Sequence, residues 1–119
     1  MAWRWHWLTS TKGKKNWSDA NTACTTTKNS NTPVTGGTWV LADEGQWDNM
    51  INGAGSYTAL RDGFTSVGGT NMSAYFYWTS TVGKNNAWVY DFTDEAPYGG
   101  TSVETSKDNV FKARACLAF

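Results

Sequence analysis

Two cysteines, Cys24 and Cys116, are the side chains best able to do chemistry in this chain, and they stand far apart. Zinc and redox motifs need closely spaced pairs, which this spacing does not offer. In an oxidising compartment the two would form a disulfide joining an early helix to a late strand, adding about 4–5 kcal/mol by the chain-entropy argument. In a reducing compartment they would be two small buried apolar groups. The disulfide is the preferred reading, because small exported domains with thin cores use such staples. The single histidine, His6, lies in a run of tryptophans, with no G-x-S-x-G elbow or comparable nucleophile motif to serve. Gly53-x-Gly55 lacks the third glycine and the preceding strand of a dinucleotide fingerprint. Asp91, Asp94 and Glu95 are neighbours in sequence, but calcium takes six to eight oxygens, and acidic loop residues are usually just solvated. Lys12, Lys14 and Lys15 form a small basic turn, read as solvated and, less directly, as a contact for an anionic glycan. These residues predict no catalytic centre, no metal and no cofactor, and therefore a chain that is not an enzyme.

Composition narrows the class. Ten basic residues balance ten acidic ones, so the basic excess that nucleic-acid binding needs is missing. No apolar run approaches the roughly 20 residues that span a bilayer, which argues against membrane insertion. The opening Met-Ala-Trp-Arg-Trp-His-Trp lacks the apolar core of a signal peptide. Glycine, threonine, asparagine and serine account for 48 of the 119 residues, and all suit turns and strands better than helix interiors. Eight tryptophans, five tyrosines and five phenylalanines stand against that background. Each large aromatic buries roughly 150–250 Å², so a few can build a core with little leucine or isoleucine. The expectation is one loop-rich domain over 1–119 with an aromatic core.

The elements that must position these residues follow from spacing. Trp3, Trp5 and Trp7 alternate with Arg4, His6 and Leu8, which predicts a strand with an indole face, a candidate oligomer or interdomain contact. Residues 9–15 read as a turn. Asn16 is a helix cap, and Trp17, Ala20, Cys24 and Thr27 recur at helical spacing, which points Cys24 inward. Residues 38–41 predict a short strand. Asp43 caps a second helix, with Gln46 in the capping-box position, an apolar stripe of Trp47, Met50 and Ile51, and an end at Asn52-Gly53. Residues 53–73 read as mostly loop, anchored by Leu60 and Phe64. Strands are predicted over 75–80 and 87–92, a long polar excursion over 93–109 and a closing strand over 110–119. Helices early and strands late favour α+β with an antiparallel sheet.

Several segments resemble the C-type lectin-like fold, in its bacterial and phage branch. Trp17-Ser18-Asp19-Ala20 … Cys24 is similar to that branch's W-x-x-A…C helix. Gly37-Thr38-Trp39-Val40-Leu41 … Gln46-Trp47 is similar to its G-x-W-x-L-P…E-W segment, with Ala42 in place of proline and Gln46 in place of glutamate. Tyr77-Trp78-Thr79-Ser80-Thr81 … Ala87-Trp88-Val89-Tyr90-Asp91-Phe92 resembles its YW[ST]S…AW-x-x-x-F hairpin, and Lys107 … Arg114 … Phe119 its closing strand. The branch includes the C-terminal domains of the Legionella collagen-like adhesin type and the variable proteins of diversity-generating retroelements. The resemblance implies two helices flanking a twisted antiparallel sheet with long irregular loops. It also implies a Cys24–Cys116 disulfide and a scaffold of Trp17, Trp39, Trp47, Trp78, Trp88, Phe92 and Arg114. The calcium signatures of animal C-type lectins, E-P-N or Q-P-D with W-N-D, are not present.

With Trp88 and Phe92 in the core by that resemblance, alternation puts Val89 and Asp91 on the exposed face. Thr93, Asp94, Glu95, Tyr98, Asp108, Asn109 and Phe111 would continue it, with Tyr98 and Phe111 as aromatic anchors. The other reading of the same residues is a solvated loop with Phe111 packed beneath it. The expected function is receptor binding or adhesion on a phage or microbial surface, toward a protein or glycan ligand, with loops 79–86 and 93–111 carrying recognition. A retroelement-diversified variable protein is the sharper form of that expectation, and a fixed carbohydrate-binding adhesin is the alternative. An enzyme of the formylglycine-generating type, which needs a reactive cysteine pair, is the rival from another class.

Overall fold

The computed structural model describes residues 12–26, 38–67, 71–94 and 99–118. Trp3, Trp5, Trp7, His6, Glu95, Tyr98 and Phe119 lie outside the described residues. The chain order is β1 (Lys12–Lys15), α1 (Trp17–Thr25), β2 (Thr38–Leu41), α2 (Glu44–Ala54), α3 (Tyr57–Asp62), β3 (Phe76–Val82), β4 (Asn86–Asp91), β5 (Ser102–Ser106), β6 (Phe111–Ala113) and β7 (Ala115–Ala118). A short 3-10 turn, Phe64–Val67, follows α3. This is an α+β fold, with a five-stranded sheet in the order β1-β6-β3-β4-β5 and a two-stranded ladder, β2-β7. Every pairing is antiparallel except β3 with β6.

Local chemistry sets the helices. Asn16 Oδ1 accepts the Asp19 N–H at 2.9 Å and starts α1. At its other end the Thr25 and Thr26 hydroxyls donate to the Asn21 and Thr22 carbonyls, the competition that makes threonine a poor helix continuer. The Asp43 carboxylate accepts the Gln46 N–H at 2.7 Å, while Gln46 Oε1 accepts the Asp43 N–H at 2.8 Å. That reciprocal capping box satisfies two otherwise orphaned donors at the start of α2. The helix runs past Asn52-Gly53 to Gly55, whose φ of +103° is open to glycine at little cost.

Four segments differ from the sequence expectation. Residues 12–15 form β1, because β6 supplies its hydrogen-bond partners. Helix α3 occupies part of the expected loop, capped by Ser56, whose hydroxyl accepts the Ala59 N–H. The 93–109 excursion contains β5, which pairs along β4 from Ser102 opposite Tyr90 to Ser106 opposite Asn86. The closing segment is also two strands in two ladders, divided at the buried Arg114.

The β3–β4 hairpin is covered on both faces. Tyr77 lies opposite Tyr90, and both enter a cluster with Trp47, Met50, Leu60, Phe64 and Phe92 beneath α2 and α3. Trp78 lies opposite Val89, and both enter a second cluster with Ala20, Cys24, Trp39 and Leu41 beneath α1. Trp47 meets Phe92 edge-on at 5.2 Å, and Tyr77 meets Phe92 at 5.6 Å. Aromatic packing of this kind holds the strands in one geometry.

Candidate ligand-binding face

The two-sided cover decides what β4 can present to solvent. Val89 and Asp91, expected to be exposed, are buried, while Trp88, expected in the core, is half-buried. Alternation separates the two faces of a strand but does not say which is covered. Tyr90 and Phe92 on one face enter the cluster beneath α2 and α3, whereas Trp88 on the same face belongs to neither cluster. Along that face Asn86 and Trp88 on β4 stand opposite Ser106 and Glu104 on β5. Asn86, Glu104 and Ser106 are exposed.

The turn after β5 joins the two faces: Asp108 follows Ser106 on this surface, whereas Asn109 reaches Thr105, which stands opposite Ala87 on the other face. Asn109 Nδ2 donates to the Thr105 hydroxyl at 2.7 Å, and the Asp108 N–H donates to the Ser106 hydroxyl at 3.2 Å. Both turn side chains are exposed. The Lys107 carbonyl accepts the Trp17 N–H at 3.1 Å, which ties the turn to the start of α1. Trp17 is half-buried, and its indole N–H donates to the Thr79 carbonyl at 2.9 Å. The Asn86–Trp88–Glu104–Ser106 face, with Asp108 at its end, thus carries one indole, one amide, a hydroxyl and two carboxylates within a few strand positions. Those groups suit a sugar or a polar protein loop.

The other expected site residues lie elsewhere. Asp91 closes β4: its Oδ1 accepts the Thr93 N–H at 2.8 Å and the Thr93 hydroxyl at 2.6 Å. It is a turn-forming carboxylate and is not available to a ligand. The Thr93 carbonyl accepts from the Tyr57 hydroxyl at 3.1 Å. Asp94 is exposed and pairs with Arg61 at 2.8 Å. Arg61 also donates to the Phe92 carbonyl and holds Asp62 at 2.9 Å. That hydrogen bond to Asp62 raises the guanidinium above its usual range and lowers the Asp62 carboxyl. Thr93 and Asp94 therefore sit at the Thr101 end of the sheet, and Asp108 and Asn109 at the opposite end of β5. Phe111 is half-buried against Trp78 at 5.2 Å and Phe76 at 5.5 Å, so it packs inward and is no surface anchor.

Trp39, Trp47, Trp78, Phe92 and Arg114 are buried. The Arg114 guanidinium lies 4.0 Å over the Phe64 ring, and burial lowers its pKa to about 10. Tyr90 donates to Asp48 Oδ1 at 2.6 Å; burial first, and that hydrogen bond second, push its hydroxyl well up. Beside it the Ser102 hydroxyl donates to the Glu44 carboxylate.

Cys24 and Cys116 are buried thiols that no disulfide joins, in place of the expected staple. The Cys116 thiol donates to the Arg114 carbonyl at 3.5 Å, so its S–H is used as a weak donor. Burial pushes that thiol far above its ordinary range. The nucleophilic and metal-binding form is the thiolate, which this setting suppresses.

A shallow groove of about 380 Å³ lies between α1, β2 and the start of α2. Its Asp43 and Gln46 already satisfy each other in the capping box. Among the described residues no group of three or more His, Cys, Asp or Glu could hold a metal ion, and no helix is long and apolar enough to cross a membrane. No family model, curated protein or solved structure matches the chain.

Proposed function

We propose that the chain is a non-catalytic binding module of the C-type lectin-like kind, displayed on a phage or microbial surface. It recognises a protein or glycan ligand through the Asn86–Trp88–Glu104–Ser106 face and the Asp108–Asn109 turn. One observation carries the reading: these positions ride on strands whose neighbouring residues, Ala87, Val89 and Tyr90, are locked in two aromatic clusters. Outward side chains on such a frame can change without unfolding it. That separation is what a diversified binding face requires, and it supports the retroelement-variable form of the proposal.

The test replaces Trp88, Glu104, Asp108 and Asn109 together with serine. Wild type and variant are then probed on an array of cell-surface glycans and proteins. Retained cooperative melting with loss of capture supports the proposal; capture by both proteins, or by neither, overturns it. The diversified form further predicts a near-repeat of the 3′ coding end, differing mainly at adenines, beside a reverse transcriptase gene. Finding neither returns the reading to a fixed adhesin. The enzyme reading is tested by thiol titration of the folded protein: two promptly reactive thiols favour it, and none opposes it.

A further inference from the structure

Strands β1 and β6 lie at the opposite side of the sheet from β5. Their register sets Lys12 opposite Ala113 and Lys15 opposite Phe111, which brings Lys14 beside Lys112. Both side chains converge on one ring: Lys14 Nζ lies 4.9 Å, and Lys112 Nζ 5.2 Å, from the Tyr75 centroid. Two ammonium groups so placed are separated by no more than one Debye length, about 10 Å at 0.1 M salt, and they repel. The described ion pairs all belong to Arg61, so among the described residues neither lysine meets a carboxylate.

The platform beneath them is held firmly. Tyr75 packs on Phe76 at 6.3 Å and on Phe111 at 6.4 Å. The Trp78 indole N–H donates to the Lys15 carbonyl at 2.8 Å and tacks β1 to the sheet. Lys112 Nζ donates to the Ser73 hydroxyl at 3.0 Å, while the Ser73 N–H donates to the Tyr77 hydroxyl at 2.8 Å. Each ammonium has three donors, and the contacts described use one from Lys112.

We infer that Lys14 and Lys112, held on the Tyr75 ring beside Ser73, form a binding site for an oxyanion group, a sulfate, phosphate or carboxylate. An anion there accepts charge-assisted hydrogen bonds from both lysines and removes their mutual repulsion. Its seating on a rigid aromatic ledge lowers the entropy lost when two long side chains are ordered. The site is separate from the Trp88–Glu104 face and stands whether or not that face binds a ligand.

The experiment follows the Tyr75 ring and lysine side-chain signals by NMR at fixed ionic strength. The probes are inorganic sulfate, inorganic phosphate, glucuronate and a sulfated disaccharide. Saturable shifts at Tyr75, Lys14 and Lys112 are expected. Tighter binding of the disaccharide than of inorganic sulfate identifies an acidic glycan as the source; equal affinity identifies a free ion. Lys14→Gln or Lys112→Gln weakens binding about tenfold, the scale of one charged hydrogen bond, whereas Lys84→Gln on the distant hairpin turn changes nothing. Shifts that never saturate, or an equal loss in Lys84→Gln, show general screening and overturn the inference. Melting each variant alongside confirms that the comparison is between folded proteins.

Discussion

Val89→Thr is the sharpest test of which way β4 faces. The substitution keeps the β-branched shape and exchanges a methyl for a hydroxyl. At 2 % exposure, Val89 is enclosed by Trp78, Ala87, Ala113 and Ala115, an apolar setting for the new group. Burying a hydroxyl there without a partner costs about 2 kcal/mol. For a domain of this size that lowers Tm by about 8 °C, at roughly 4 °C per kcal/mol. The cross-strand partner provides a control. Val103 stands directly opposite Val89, yet it is 38 % exposed at the sheet edge. Val103→Thr should stay within about 0.5 kcal/mol, as surface substitutions do. Urea and thermal melts of both variants make the comparison, with an unchanged m-value confirming that stability alone moved. Equal, small shifts in the two variants would refute the two-sided burial of β4 and restore Val89 to the surface.

Gly100→Ala should lower stability by about 1–3 kcal/mol, measured by urea melt, because φ is +84° and a Cβ would approach Tyr57 Cδ1 at 2.7 Å. Arg61→Met should cost about 3 kcal/mol by the same measurement, since it leaves the buried Phe92 carbonyl without its charged donor and frees Asp94. The Cys116 thiol and Tyr90 hydroxyl both have folded pKa values raised by burial, so their stabilising contribution is full below the unfolded values. It is lost as pH rises from about 8.5 for the thiol and about 10 for the phenol. A urea midpoint that falls across that alkaline window, with Cys116→Ala flattening its lower part, is the expected result. Asp62, with its carboxyl lowered by Arg61, works in the opposite direction. Its contribution is present above about pH 4 and disappears on acidification, a loss that Asp62→Asn removes.

Local features were legible in the chain before any fold was known. The Asn16 cap, the Asp43–Gln46 box, the inward spacing of Ala20 and Cys24 and the aromatic β3–β4 hairpin depend on residues a few positions apart. Their signals are short-range hydrogen bonding and periodicity. The candidate face was not legible in the same way. Period-two alternation divides β4 into Trp88/Tyr90 and Ala87/Val89, but apolar clusters cover both sides, and of these four only Trp88 belongs to neither cluster and stays half-buried. Strand β5 carries little apolar signal and exists through its pairing with β4. Lys14 and Lys112 are far apart in sequence and meet because β1 returns against β6. Caps and stripes are properties of neighbouring residues; exposure, edge pairing and charge juxtaposition are properties of what the rest of the chain brings alongside, and only tertiary packing decides them.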